Sequence, residues 1–205
     1  MHAVVGYHVR MLTKLARAAT QVVEGVGGVF GIRVGTEEPL YVHEDNLGEI
    51  EIRRYGPRVA AQTAVQGEGQ DARSTGFRRL AGYIFGGNDR TTKIAMTAPV
   101  AQHHAGGTGD SVIRFYLPSK WSLETLPEPD DSSVTVVEVP AERFAVLRFS
   151  GDRSPTSVTA KSAELLTALH GTDFHADGAP VAWFYDPPWT LPFRRRNEVA
   201  VPLTG

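Results

Sequence analysis

The run with the most chemistry in it is Tyr185-Asp186-Pro187-Pro188-Trp189-Thr190-Leu191-Pro192-Phe193-Arg194-Arg195-Arg196. Three prolines stiffen this stretch, so Trp189, Leu191 and Phe193 can be presented with little conformational entropy left to lose on binding. Arg194, Arg195 and Arg196 follow at once, and their planar forks match carboxylates. Apolar faces beside guanidinium forks suit a flat hydrophobic molecule with carboxylates along one edge. The competing reading of the same residues is a loop that closes the fold, with its rings in the core and its arginines in solvent.

Other reactive residue types are thinly spread. The seven histidines form no metalloenzyme motif: His103 and His104 are adjacent, so on a strand they point to opposite faces and cannot chelate together. His43 precedes the first strand, and His170 and His175 fall at and after the end of a helix, where surface or capping roles are favoured over ligation. The absence of cysteine removes disulfides, thiolate ligands and iron–sulfur clusters. No G-x-S-x-G elbow or close acid pair supports a hydrolase. Gly67-Glu68-Gly69-Gln70-Asp71-Ala72 fits G-x-G-x-x-A, with Asp89 near the expected distance, but that fingerprint needs a parallel βαβ unit, and Glu68 and Asp71 would repel a pyrophosphate.

The elements that must position these residues repeat. Ile50 and Ile52 alternate with Glu49, Glu51 and Arg53 as a half-buried strand, Tyr55-Gly56-Pro57 is a turn, and Val59 to Gln66 returns as the second arm of a hairpin. A helix from about Asp71 places Phe77, Leu80, Ala81 and Ile84 on one buried face and stops at Gly86-Gly87. Lys93 to Val100, KIAMTAPV, reads as a strand with Ile94 and Met96 inward, ending at an edge, bulge or cavity rim because Pro99 cannot donate to a ladder. Ala105 to Gly109 is a hairpin loop, and Val112, Ile113, Phe115 and Leu117 return as a strand. Beyond a Pro-rich acidic connector at 119–132, the order recurs: Val134 and Val136, a turn at Pro140, a strand from Arg143 to Ser150, a helix opened by Ser154-Pro155 and lined by Leu165, Leu166 and Leu169, then strands at Ala182–Tyr185 and Glu198–Val201. Ile50 and Val134, Ile52 and Val136, Gly67 and Gly151, and Gly87 and Gly171 are each 84 positions apart, which argues for an internal duplication of a ββαββ unit. The fold class is therefore α+β, two ββαββ halves joined in a distorted antiparallel barrel or a curved sheet with two packed helices.

Several of these stretches together resemble the SOUL haem-binding protein family: EIEIRRYGPR, GFRRLAGYIFGGN, KIAMTAPV and NEVAVP occur in the family's order and extend over about Tyr41 to Leu203. The resemblance implies this duplicated fold and haem, or another tetrapyrrole, in an apolar cleft between the first helix and a late strand-to-strand loop. It thereby assigns cofactor contacts to Phe77, Leu80, Ile84, Met96, Trp189, Leu191 and Phe193, with Arg194, Arg195 and Arg196 for the propionates. Some members carry a proposed iron-ligating His in EIRHYGP, where this chain has Arg54; a protonated guanidinium has no lone pair to give. The ligand is left open among the histidines, Met96 and a tyrosine. The leading role is a binder for sequestration, delivery or buffering of haem. The alternatives are an enzyme that opens the ring or removes iron, for which no dedicated proton donor is visible, and a regulatory module for another apolar effector.

Composition fits a soluble globular chain. It is 205 residues long and 41% hydrophobic, and a net charge of −2 gives no general attraction to nucleic acid or anionic membrane. Residues 1–38 read as a helical extension and linker, and residues 39–205 as a single domain with halves at about 41–118 and 133–203. In the extension, Val9, Leu12, Leu15, Ala16, Ala19, Val22, Val23 and Val26 form one apolar stripe. That helix is too charged to span a bilayer, and docking on its own domain is favoured over lying on a membrane surface. Residues 1–30 lack the features of a secretory leader, so a cytoplasmic location is expected.

Overall fold

The computed structural model describes residues 36–105 and 109–204. The expected N-terminal amphipathic helix and the centre of the 105–109 hairpin loop lie outside them. Within them, one antiparallel sheet is built from β1 (Tyr41–Leu47), β2 (Ile50–Tyr55), β3 (Arg58–Val65), β4 (Val100–Ala105), β5 (Asp110–Tyr116), β6 (Val134–Val139), β7 (Glu142–Phe149), β8 (Val181–Phe184) and β9 (Asn197–Leu203). The helix α1 (Gly69–Ile84) separates β3 from β4, and α2 (Pro155–Leu169) separates β7 from β8. The ββαββ order therefore occurs twice, with β1 added in front.

The strand order is β1-β2-β7-β9-β8-β4-β5-β3-β6, an open sheet with β1 and β6 at its edges, so the curved-sheet form of the expectation holds and the barrel does not close. The expected hairpin of Ile50–Arg53 with Val59–Gln66 is corrected. β2 pairs with β7, and β3 pairs with β6, each strand crossing to the opposite half. A two-residue hairpin of type I′ needs a positive φ at both central residues, which Pro57 cannot adopt, so the chain turns a corner instead. The two crossings share one register: Ile50 opposes Leu147 as Val134 opposes Thr63, and Tyr55 opposes Glu142 as Val139 opposes Arg58.

Alternation along the strands divides the core between two faces. On one, α1 packs on β3 and β5 around Ala61, Leu80, Ile84, Ile113 and Phe115, and α2 packs on β7 and β9 around Ile52, Leu147, Leu165 and Val199. On the other face lie Tyr55, Tyr116, Phe144, Trp183 and Tyr185. Helix ends follow the expected signals. Ser154 caps α2 by accepting from the Ser157 N–H at 3.3 Å, with Pro155 in the first turn, and Gly86 leaves α1 with φ +117°.

Two further expectations need correction. Residues 94–96 form no ladder; strand pairing begins at Val100, although Ile94 is buried, Met96 half-buried and Ala95 exposed, as alternation requires. The buried face of α1 is Ala72, Arg73, Gly76, Leu80, Tyr83 and Ile84, while Phe77 is 39% exposed and meets Phe115 edge to face at 5.2 Å between centroids. The helix rolls toward Gly76 because that residue, lacking a Cβ, sits directly on Ile113.

Candidate functional site

The β8–β9 loop is braced from within. Arg195 donates to the carbonyls of Thr190 and Pro188, both at 2.8 Å, and the Pro192 carbonyl accepts from the Gly151 N–H at 2.9 Å. Asp186 receives the Arg196 N–H at 2.6 Å, and Arg153 donates to the Asp186 carbonyl at 3.1 Å. A short 3-10 turn, Pro192–Arg194, finishes the loop. The result holds Trp189 64% exposed and Phe193 70% exposed, with Leu191 half-buried.

The three arginines are separated by this bracing. Arg195 holds the loop. Arg196 turns inward, pairing with Glu198 and Glu38, both at 2.9 Å, and lying over the Tyr185 ring at 3.8 Å. Arg194 is exposed, and its side chain makes no hydrogen bond among the described residues. The two rings and Arg194 are thus the parts of the loop left open to solvent.

The other expected contacts are Phe77, Leu80 and Ile84 on α1 and Met96 after it, and the N-terminal end of that helix reaches β8, where Arg73 lies over the Phe184 ring at 4.1 Å. Leu80 and Ile84 are completely enclosed between helix and sheet, and Met96 packs at the margin of the same cluster, with Val59 and Trp121. No ring contact or hydrogen bond among the described residues joins this group to the loop. Arg54 is on β2, more than half exposed and bonded to Glu44. His103 is half-buried on β4; burial, with Arg114 nearby, lowers its pKa to about 4, so the ring is neutral. No group of three or more metal-binding side chains occurs among the described residues.

Two features escaped the sequence. Glu198 is fully buried and accepts from Arg53 at 2.9 and 3.2 Å, from Arg196 and from the Tyr185 hydroxyl at 2.8 Å. Burial opposes its charge, but Arg53, Arg196 and Tyr185 together hold the carboxyl below the usual carboxylate range. A Glu in phase with Ala200 on an apolar strand was the available signal. The second feature is a cleft of about 710 Å³ where residues 37–42 pass the Tyr55–Arg58 corner. Leu40, Val42, Val59, Leu117 and Trp121 line it, with Arg54 and Arg58. Its walls come from distant segments, which no local pattern reveals.

A model of the family described as SOUL heme-binding protein matches residues 36–202. Heme-binding protein 2 of Mus musculus is 31% identical over 161 residues, 74% of this chain and 77% of that protein. Heme-binding protein 2 of Homo sapiens is 36% identical over 110 residues, 51% of this chain, and the match spans about half (53%) of the human protein's length. Among solved structures, the EcmrR C-terminal domain superposes with a TM-score of 0.56 at 9% identity, over 80% of this chain and 98% of that one. An uncharacterized conserved protein from Listeria innocua gives 0.55 at 10% identity, over 83% and 94%. At such identities these two structures speak to the fold alone.

Proposed function

Because this chain belongs to the SOUL haem-binding protein family, we propose that it binds haem or a related tetrapyrrole against the β8–β9 loop, in sequestration, delivery or buffering. The observation that carries the reading is the exposure of Trp189 and Phe193 on a loop already stiffened by prolines and by Arg195. Rings fixed before the ligand arrives lose little entropy on binding. They supply stacking surface, and Arg194 supplies a fork for a propionate. The names of the relatives, heme-binding proteins 1 and 2, point the same way. On the α1 side, Phe77, 39% exposed, is the residue of the expected set most open to a ligand, Met96 is half-buried at the margin of the core, and Leu80 and Ile84 are enclosed beneath the helix. A ligand held by its ring and one propionate on an open face exchanges readily, which suits delivery or buffering.

A haem titration followed by Soret absorbance tests this. Trp189→Ala with Phe193→Ala should weaken binding by about tenfold or more, the loss of two exposed stacking faces. Arg194→Ala should weaken haem by roughly 3- to 10-fold and leave the dimethyl ester unaffected, the effect of one charge-assisted contact at a surface. Equal losses for haem and ester would remove propionate recognition from the proposal. New absorption bands of an opened or iron-free ring, on adding a reductant, would replace the binder with an enzyme.

A further inference from the structure

The cleft at the Tyr55–Arg58 corner shares no lining residue with the β8–β9 loop. Its walls are apolar, from Leu40, Val42, Val59 and Leu117, and two of its lining residues carry buried donors without an acceptor among the described residues. The Arg58 side chain is 9% exposed, and its guanidinium lies between the rings of Tyr55 and Tyr116, at 4.7 and 4.8 Å from their centroids. Those rings give the guanidinium π contact, which satisfies none of its N–H groups with an oxygen acceptor. Nη2 meets Glu142 at 2.6 Å, but among the described residues Nε and Nη1 have no hydrogen-bond partner, and neither does the indole N–H of Trp121. Buried donors without acceptors are costly, and a fold that keeps three of them around one apolar cleft is shaped for a ligand that brings the acceptor. The acids along the cleft do not fill that need. Glu37 accepts from the Ser119 N–H, Glu38 pairs with Arg196, and Glu138 stands exposed at the rim.

We propose that this cleft is a second binding site, for an apolar molecule bearing a single carboxylate, such as a long-chain fatty acid, with the carboxylate on Arg58 and Trp121 and the chain along Val42, Val59 and Leu117. The volume, about 710 Å³, is in the range of small-molecule sites. The assignment is independent of the haem reading, because the residues that carry each are different.

The test uses the full-length protein and stearate carrying a nitroxide quencher on its chain, followed by tryptophan fluorescence. Saturable quenching is expected, most of it lost in Trp121→Phe, and the methyl ester should bind at least tenfold more weakly. Val42→Asp puts a negative charge on the wall at an exposed position where folding is insensitive, and should raise the Kd at least tenfold. Arg58→Gln should abolish binding; if that variant does not fold, Val42→Asp still decides. Haem should not displace the probe, and Trp189→Ala should leave its Kd unchanged. The second site is overturned by absent or unsaturable quenching, by an ester that binds as well as the acid, by wild-type affinity in Val42→Asp, or by competitive displacement with haem. That last result would place haem itself in the cleft, and it is distinguishable from failure at the loop because it leaves the Trp189 and Arg194 variants without effect on haem.

Discussion

Glu198 gathers four donors from three side chains onto its two buried oxygens. Glu198→Gln keeps the shape but turns an acceptor into a donor facing Arg53, which is itself buried. Breaking one side of such a pair costs on the order of 3 to 5 kcal/mol. A chemical-denaturation midpoint equal to wild type would show that the arginines find other partners. A carboxyl held low contributes stability that is present above the ordinary carboxylate range and is lost as pH falls from that range through its lower folded value. His103 acts earlier. Its folded pKa, lowered to about 4 by burial, lies below the unfolded value of about 6.5, so the unfolded chain binds the extra proton first and stability falls as pH drops from about 6.5 toward 4. The loss should be on the order of 2 kcal/mol for a half-buried ring, and His103→Leu should flatten the stability curve across that window. A slope unchanged in the variant would assign the acid sensitivity elsewhere.

Among the elements, α1 offers a paired test of how helix and sheet meet. A Cβ on Gly76 would lie 2.3 Å from Ile113 Cγ1 and 2.6 Å from its Cβ, so Gly76→Ala must push helix and sheet apart, costing roughly 1 to 3 kcal/mol. A Cβ on Gly82 meets nothing within 4 Å, so Gly82→Ala should stabilise by about 0.5 to 1 kcal/mol through helix propensity alone. Melting temperatures moving in the same direction would refute this placement of the helix. The contrast also explains what the sequence disclosed. Periodicity located the helix and most strands, since Leu80, Ile84, Ile113 and Phe115 are apolar at the right spacing. It misplaced Phe77, because the tightest contact is made by a glycine, which pattern reasoning treats as empty. It missed the partner exchange of β2 and β3, because alternation tells a strand which face is buried and nothing about which strand lies beside it. At the loop, the aromatic run was legible as an exposed face, but the division of labour among Arg194, Arg195 and Arg196 depends on carbonyls and carboxylates brought in by folding.

For the molecule as a whole, partner exchange means that neither half completes its own sheet. β2 needs β7, and β6 needs β3. Peptides cut within the 119–132 connector should therefore be largely unfolded alone and regain native circular dichroism when mixed; a folded first half in isolation would contradict the topology. The corner where the halves cross carries one more implication. Arg58 and Glu142 hold equivalent positions in the two repeats, 84 residues apart, and they form an ion pair at 2.6 Å. In a homodimer of one repeat, that position would meet its own copy across the twofold axis, Arg against Arg or Glu against Glu, and either pairing is repulsive. Opposite charges at one symmetric position need two repeats of different sequence, so this pair can have arisen only after the repeats diverged. In a dimer of identical units a neutral residue there avoids the repulsion, and the double substitution Arg58→Gln with Glu142→Gln would restore that symmetry.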